Sequence, residues 1–350
     1  VLTFFQAIVV GIIQGVSELF PVSSLGHSVL LPALFGWNNL VTDQSQGESF
    51  YLAFVVGLHV ATALALIAFF WRDWVRIIGG FFVTLRTRRI ETPDQRMAWM
   101  LVLATIPVGI AGLLFEHQFR TLFAKPEAAA IFLTINGFIL VGAELLKRRT
   151  RPTTLDLGDA TPAPAGASAA APGIAVESAE TSAVATPANG GTGATGATAD
   201  TGASSDTATA WSTAPASKSD EPGRNVATLK YREAVVIGSA QILALFAGIS
   251  RSGVTMAAGL ARGLSHEDAA RFSFLLATPV ILAAGVLKIP DLFGTLGNGI
   301  RGQILAGSLA AAIAAYLSVR FLVRWFTTRT LWPFAAYCLA MGTAMIFYFA

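Results

Sequence analysis

The 350-residue chain is short of charge. Only 13% of it is Asp, Glu, Lys or Arg, against about 25% in a soluble domain, while 54% is hydrophobic. That deficit argues against a soluble enzyme or a nucleic-acid-binding protein and points to a bilayer. Cysteine is nearly missing. Cys338 stands alone, which excludes an intrachain disulfide framework and a multi-cysteine metal site. The four histidines, His27, His59, His117 and His266, form no HxxxH or HExxH pair, so the helical zinc-hydrolase pattern is absent too.

The average hides two polymers. Residues 152–222 are a 71-residue stretch in which 55 positions are Ala, Gly, Ser, Thr or Pro, with eight acids and one base, Lys218. Such composition buries too little apolar surface to offset ordering entropy, so the stretch is expected to be a disordered cytoplasmic linker. A neutral loop insertion is favoured over a regulatory tail. The chain then divides into a first membrane repeat at 1–151, the linker, and a second repeat at 223–350. The remaining 279 residues hold 23 bases against 13 acids, a net +10 that the +3 of the whole chain conceals. Basic loops suit anionic headgroups.

Crossing roughly 30 Å of hydrocarbon takes about 20 apolar residues. Six stretches qualify: 51–71, 97–115, 128–146, 272–289, 303–323 and 331–350. Residues 2–35 and 233–263 are apolar but broken in the middle by polar, Gly-rich sequence. Backbone leaves helical geometry at membrane depth only where protein or trapped water satisfies it, so each is read as a re-entrant helical hairpin. A signal peptide over 2–20 is disfavoured by Glu18 and by the lack of a basic leading segment. Residues 73–85 fit a short interfacial helix or a further span, and the crowding by Arg72, Arg76 and Arg86 favours the interfacial helix. Bases concentrate in 72–96, after 146, in 224–232 and at Arg324 and Arg329, which places those loops in the cytoplasm and both termini outside.

Sliding the chain by 227 residues puts Ala7, Val9, Gly11, Gln14, Ser23 and Gly26 on Ala234, Val236, Gly238, Gln241, Ser250 and Gly253. Each copy precedes an odd number of spans, so the copies must insert from opposite faces. The expected fold is an all-α integral membrane protein of six spans and two re-entrant hairpins in an inverted-topology repeat, with its site where the breaks meet.

The first break runs from Gln14 through Glu18, Pro21, Ser23, Ser24 and Gly26 to His27. Gln14 and Glu18 share a helix face and Pro21 stops the helix. A carboxylate at membrane depth costs roughly 2.5–3.5 kcal/mol, so Glu18 is functional by default. With Ser24 and His27 it makes a base, nucleophile and acid set. The second break reads Gly248-Ile249-Ser250-Arg251-Ser252-Gly253-Val254-Thr255. Glycines around a serine–arginine–serine core, ahead of a helix, make an anion cradle, and phosphate is the natural guest. A phosphate gripped from one break and attacked from the other, inside a membrane, implies a phosphate head on a lipid tail.

QGVSE at 14–18, PVSSLGH at 21–27 and AGISRSG at 247–253 resemble the motifs of the undecaprenyl pyrophosphate phosphatase family, the bacitracin-resistance type. The likeness extends to 50–62, 106–115 and 273–280. Ala247 stands where that family has proline, and Leu25 where it has threonine. The resemblance implies hydrolysis of the C55 lipid diphosphate to the monophosphate, recycling a cell-wall precursor carrier in the bacterial cytoplasmic membrane. It implies a site facing outward and assistance from a divalent cation, Mg or Ca, with no organic cofactor. Glu18, Ser24, His27 and Arg251 are then the catalytic candidates. Ser24 is the preferred nucleophile and His27 its proton partner, and attack by water or by His27 is equally compatible. Gln14, Ser23, Gly248, Ser250, Ser252, Gly253 and Thr255 are the substrate-binding candidates, and Gln14 with Glu18 the candidate cation ligands. Expected partners are the polyprenyl diphosphate and membrane lipids, with no nucleic acid; a homodimer is left open.

A lipid or ion transporter and a non-catalytic anion receptor are the rival readings, because inverted repeats with broken helices also build transporters. The linker's composition generates one test. Deleting 155–220 is expected to leave phosphate release within a few-fold of the intact chain, and collapse of activity in well-folded protein would contradict that reading of the linker.

Overall fold

A computed structural model describes residues 2–37, 40, 50–123, 125–150, 223–293 and 299–350. The 152–222 linker lies outside the described residues. Those residues belong to one compact unit, Val1–Pro152 with Ala208–Ala350. Among them the secondary structure is helical, with one isolated bridge between Arg224 and Leu264.

The first broken segment forms α1 (Phe4–Ser17) and α2 (Ser24–Leu34). Thr3 and Gln6 cap α1 reciprocally, each side chain meeting the other's backbone N–H. Then come α3 (Phe50–Phe69), α4 (Trp71–Thr87), α5 (Pro93–Phe123) and α6 (Pro126–Thr150). The second half has α7 (Tyr231–Ala240), a 3-10 turn over Gln241–Leu245, α8 (Arg251–Ala261), α9 (His266–Phe293), α10 (Arg301–Trp325) and α11 (Trp332–Phe349). Stretches of α5, α6 and α9, and all of α10 and α11, are long and apolar enough to cross a membrane. A sixth span is counted if α3 and α4 are taken together across their 89° bend.

Past the bend, α4 packs along α5. Its Asp73 is buried and receives Arg271 of α9 on both carboxylate oxygens, at 2.9 and 3.0 Å. Trp71, Val75, Ile78 and Phe82 stay exposed beside Arg72 and Arg86. Ile77 and Thr84 are buried on the same helix, Gly80 lies close to Asp94 and Gln95 of α5, and the outward face carries apolar and basic side chains.

Corresponding helices of the two halves pack in corresponding pairs. α1 lies against α10, and its counterpart α7 lies against α5, the counterpart of α10. Both contacts are made at the glycines that the 227-residue slide superimposes. A methyl group on Gly11 would sit 2.3 Å from the Gly307 carbonyl oxygen, and one on Gly238 would sit 2.0 Å from that of Ala104. Small residues let these backbones approach where no side chain fits. The last helices of the two halves, α6 and α11, pack on each other with opposite sense: Gly137 meets Leu339, Thr134 meets Gly342, and Glu144 accepts from the Leu331 N–H. Equivalent helices running antiparallel are what an inverted repeat requires.

At the far end of α6 a buried cluster ties three helices. His266 at the start of α9 contacts Glu144 at 2.7 Å and Lys147 at 3.3 Å, and Lys147 donates to the Leu264 carbonyl. The returning chain docks beside it, with Arg224 N–H on the Gly263 carbonyl at 2.8 Å.

Close backbone approach makes the glycine positions unequal. Gly238→Ala should cost about 1–3 kcal/mol through overpacking, read as a lower unfolding temperature in detergent. Gly142→Ala in α6, where a methyl group meets nothing within 4 Å, should leave that temperature unchanged or raised.

Candidate active site

The two breaks touch. Glu18 caps the C-terminus of α1, and the chain turns through Pro21 to Ser23, the N-cap of α2. The Ser23 hydroxyl accepts the N–H of Gly26, three residues on, and also the N–H of Gly248 across the interface, both at 3.2 Å. Ser250, the matched serine, caps α8 in the same way by accepting the Gly253 N–H at 3.1 Å. The repeated serine–glycine pairs are therefore N-caps and their N–H partners. Two residues at the crossing hold unusual backbone. Ser23 has φ +70°, a sterically costly value for a side-chain-bearing residue. Gly248 has φ +114°, and a methyl group there would lie 2.4 Å from the Ala129 carbonyl oxygen.

The first helical residues of α2 and α8, Ser24 and Arg251, are also counterparts under the slide, and they converge on Glu18. The Ser24 hydroxyl donates to Glu18 Oε2 at 2.5 Å, and Arg251 Nη2 donates to Glu18 Oε1. Gln14 Nε2 donates to Oε2 at 2.9 Å. All four side chains are largely removed from water, with Glu18 only 6% exposed. A buried carboxylate survives when charge and hydrogen bonds replace its hydration, and here an arginine, a hydroxyl and an amide do so. The other guanidinium nitrogens of Arg251 make no hydrogen bond among the described residues, so the fork retains donors.

A further partner is His59 of α3, whose Nε2 lies 3.2 Å from Glu18 Oε2. Its Nδ1 donates to the Val55 carbonyl at 2.8 Å, so the Nε2–carboxylate contact needs a second proton between the two groups. His59 lies outside the candidates drawn from the two broken segments. Its signal was available, because an ionisable ring inside an apolar span carries the same cost that singled out Glu18.

His27 sits elsewhere in the site. Its Nδ1 donates to the Ser23 carbonyl at 2.6 Å, and its Nε2 meets the Tyr337 hydroxyl of α11 at 2.8 Å, with the two rings stacked. The hydrogen-bond partner of Ser24 is thus Glu18, and both nitrogens of His27 are engaged with other groups. Tyr337 was not legible as a neighbour, being 310 residues away in the chain.

The remaining binding candidates divide. Ser252 donates to the Phe20 carbonyl at 3.3 Å and lies 3.0 Å from Ser250 Oγ, which ties the second break to the first. Thr255 bonds back to the Arg251 carbonyl at 2.8 Å and to Ser273 at 2.5 Å. Gly248 and Gly253 supply backbone N–H groups already taken by serines. For a divalent cation between Gln14 and Glu18, the donor set as arranged does not fit. Gln14 Oε1 alone lacks a hydrogen-bond partner, Arg251 already neutralises the carboxylate, and no group of three acidic, histidine or cysteine side chains gathers among the described residues.

What the arrangement offers chemically is a serine hydroxyl held on a carboxylate, next to an arginine with unused donors. That is a nucleophile, a base and an anion clamp within one buried cluster.

Over residues 7–175 and 202–344 the chain matches the family described as bacitracin resistance protein BacA. It is 57% identical to undecaprenyl-diphosphatase 2 of Frankia alni over 355 residues, covering 100% of this chain and 98% of the relative. It is 52% identical to undecaprenyl-diphosphatase of Mycolicibacterium paratuberculosis over 352 residues, with the same coverage. Against undecaprenyl-diphosphatase 2 of Chromobacterium violaceum it is 35% identical over 342 residues, covering 96% of this chain and 95% of the relative. Both breaks and four of the five membrane-length helices fall wholly within the matched residues, so the chain is a multi-pass α-helical membrane protein of the bacitracin resistance protein BacA family.

Proposed function

We propose that this chain is an undecaprenyl-diphosphate phosphatase: it hydrolyses the lipid diphosphate to undecaprenyl phosphate and inorganic phosphate, returns the carrier to cell-wall synthesis, and so confers bacitracin resistance. The observation that carries this reading is the meeting of Ser24 and Arg251 on Glu18, supported by relatives whose names state that activity.

In this reading the terminal phosphate displaces Glu18 from part of the Arg251 fork, and the guanidinium stabilises charge as it builds on the phosphoryl oxygens. Ser24 Oγ attacks the terminal phosphorus in line, its proton passes to Glu18, and the bond to the bridging oxygen breaks. The lipid monophosphate leaves with that proton, which frees the carboxylate. Glu18 then deprotonates a water that attacks the phosphoserine phosphorus, the bond from phosphorus to Ser24 Oγ breaks, and Glu18 returns the water's proton to Ser24 Oγ as inorganic phosphate is released. His59 shares the proton on Glu18, and His27 with Tyr337 lines the same site beside Ser24. No step is routed through a metal ion. The site is assigned to the outer side of the bacterial cytoplasmic membrane, because the arginine-rich loops mark the inner side. The lipid tail stays among the apolar helix faces.

Purified protein in detergent should release inorganic phosphate from a polyprenyl diphosphate; a transporter or receptor on the same fold would release none. Arg251→Lys should lower turnover on the order of a hundredfold, because lysine keeps the charge but loses the planar fork. Equal turnover would reduce Arg251 to a bulk charge.

A further inference from the structure

Asn136 lies in the middle of α6, in the apolar run Thr134-Ile135-Asn136-Gly137-Phe138, and it is fully buried. It bonds to both breaks at once. Its Nδ2 donates to the Pro21 carbonyl of the first break at 3.0 Å, and its Oδ1 accepts the Ser250 N–H of the second, also at 3.0 Å. Nδ2 also lies 3.3 Å from Cys338 Sγ. The carbonyl can only accept and the N–H can only donate, so the amide has one orientation that satisfies both. Pro21 is two residues from Ser23 and three from Ser24, and Ser250 is the residue before Arg251. The amide therefore sets the spacing between the segment that carries Ser24 and the segment that carries Arg251.

Other groups bridge the breaks: Ser23 holds the Gly248 N–H, and Ser252 holds the Phe20 carbonyl. Both of those bridges join the breaks directly. Asn136 alone among these three couples them to a third helix, and α6 also packs against α2, α8 and α11. An amide restrained by three neighbours is a rigid reference, whereas two loops holding each other can slide together.

We infer that Asn136 is a positioning residue that sets the reach of Arg251 toward the phosphate bound over Ser24 and Glu18. The inference rests on the phosphatase reading of the site. It touches no substrate in this role and acts through Arg251.

The test is a double-variant cycle on the full chain in detergent, with polyprenyl diphosphate as substrate. Asn136→Ala should lower kcat on the order of a hundredfold, as expected when a catalytic group is displaced by about an ångström, while KM moves only a few-fold. In an Arg251→Lys background, where the fork is already lost, the same change should add little. Equal fold-losses in both backgrounds, or unchanged kcat, would overturn the inference and leave Asn136 as filler. Asn136→Asp guards against misfolding. It keeps the acceptor for Ser250 and, protonated because it is fully buried, offers an O–H to the Pro21 carbonyl, so it should keep kcat within about tenfold of the parent where Asn136→Ala does not, and an equal loss in the two variants would overturn the inference. A parent protein that releases no phosphate would remove the phosphatase reading. The positioning claim then rests on hydrogen exchange: faster exchange of 20–24 and 247–252 in Asn136→Ala supports it, and unchanged exchange overturns it.

Discussion

Everything in this structure depends on satisfying backbone polar groups where two helices are interrupted inside an apolar protein. Each interruption frees N–H and C=O groups that water would normally take, and in a bilayer the protein must supply the partners. It does so with a small set of side chains. Ser23 and Ser250 cap the outgoing helices, Ser23 also holds Gly248, Ser252 holds Phe20, and Asn136 holds Pro21 and Ser250. The breaks satisfy each other, which is why they lie together.

That constraint also creates the chemistry. Where two helices begin at one point, their first residues and helix N-termini face a common space. Ser24 and Arg251 occupy those equivalent positions, and the duplicated backbone delivers different groups to the same carboxylate. The pseudo-symmetry ends there: Glu18 corresponds to Leu245 and His27 to Val254 in the other half. In the proposed reading, one half carries the nucleophile and acid–base groups, and the other carries the clamp. A symmetric frame with asymmetric side chains gives a single site.

Several candidate residues are already engaged in holding the backbone. Ser23, Ser250, Gly248 and Gly253 hold the loops in shape, and a phosphate would meet a cradle whose hydroxyls are already bonded to protein. The groups with capacity to spare are Arg251, through its remaining donors, and Gln14, through its unpartnered carbonyl oxygen. Preorganisation of this kind keeps reorganisation low when charge develops, since the hydroxyls and N–H groups are locked before substrate arrives.

The repeat, the broken segments, the apolar spans and the key ionisable residues were all present in local sequence. Helix length, proline and glycine punctuation and the cost of burying Glu18 or Arg251 are properties of a few neighbouring residues. The exact sharing of partners was not. Ser24 pairs with Glu18 while His27 pairs with Ser23 and Tyr337; His59 joins Glu18 from α3; and Asn136 reaches both breaks from α6. These contacts join residues up to 310 positions apart, and their hydrogen bonds depend on angles and separations set by how α1, α3, α6, α8 and α11 pack. A hydrogen bond is lost over less than an ångström, far finer than any spacing along one chain can specify, so the sequence determined which groups enter the membrane and the tertiary packing decided which of them bond.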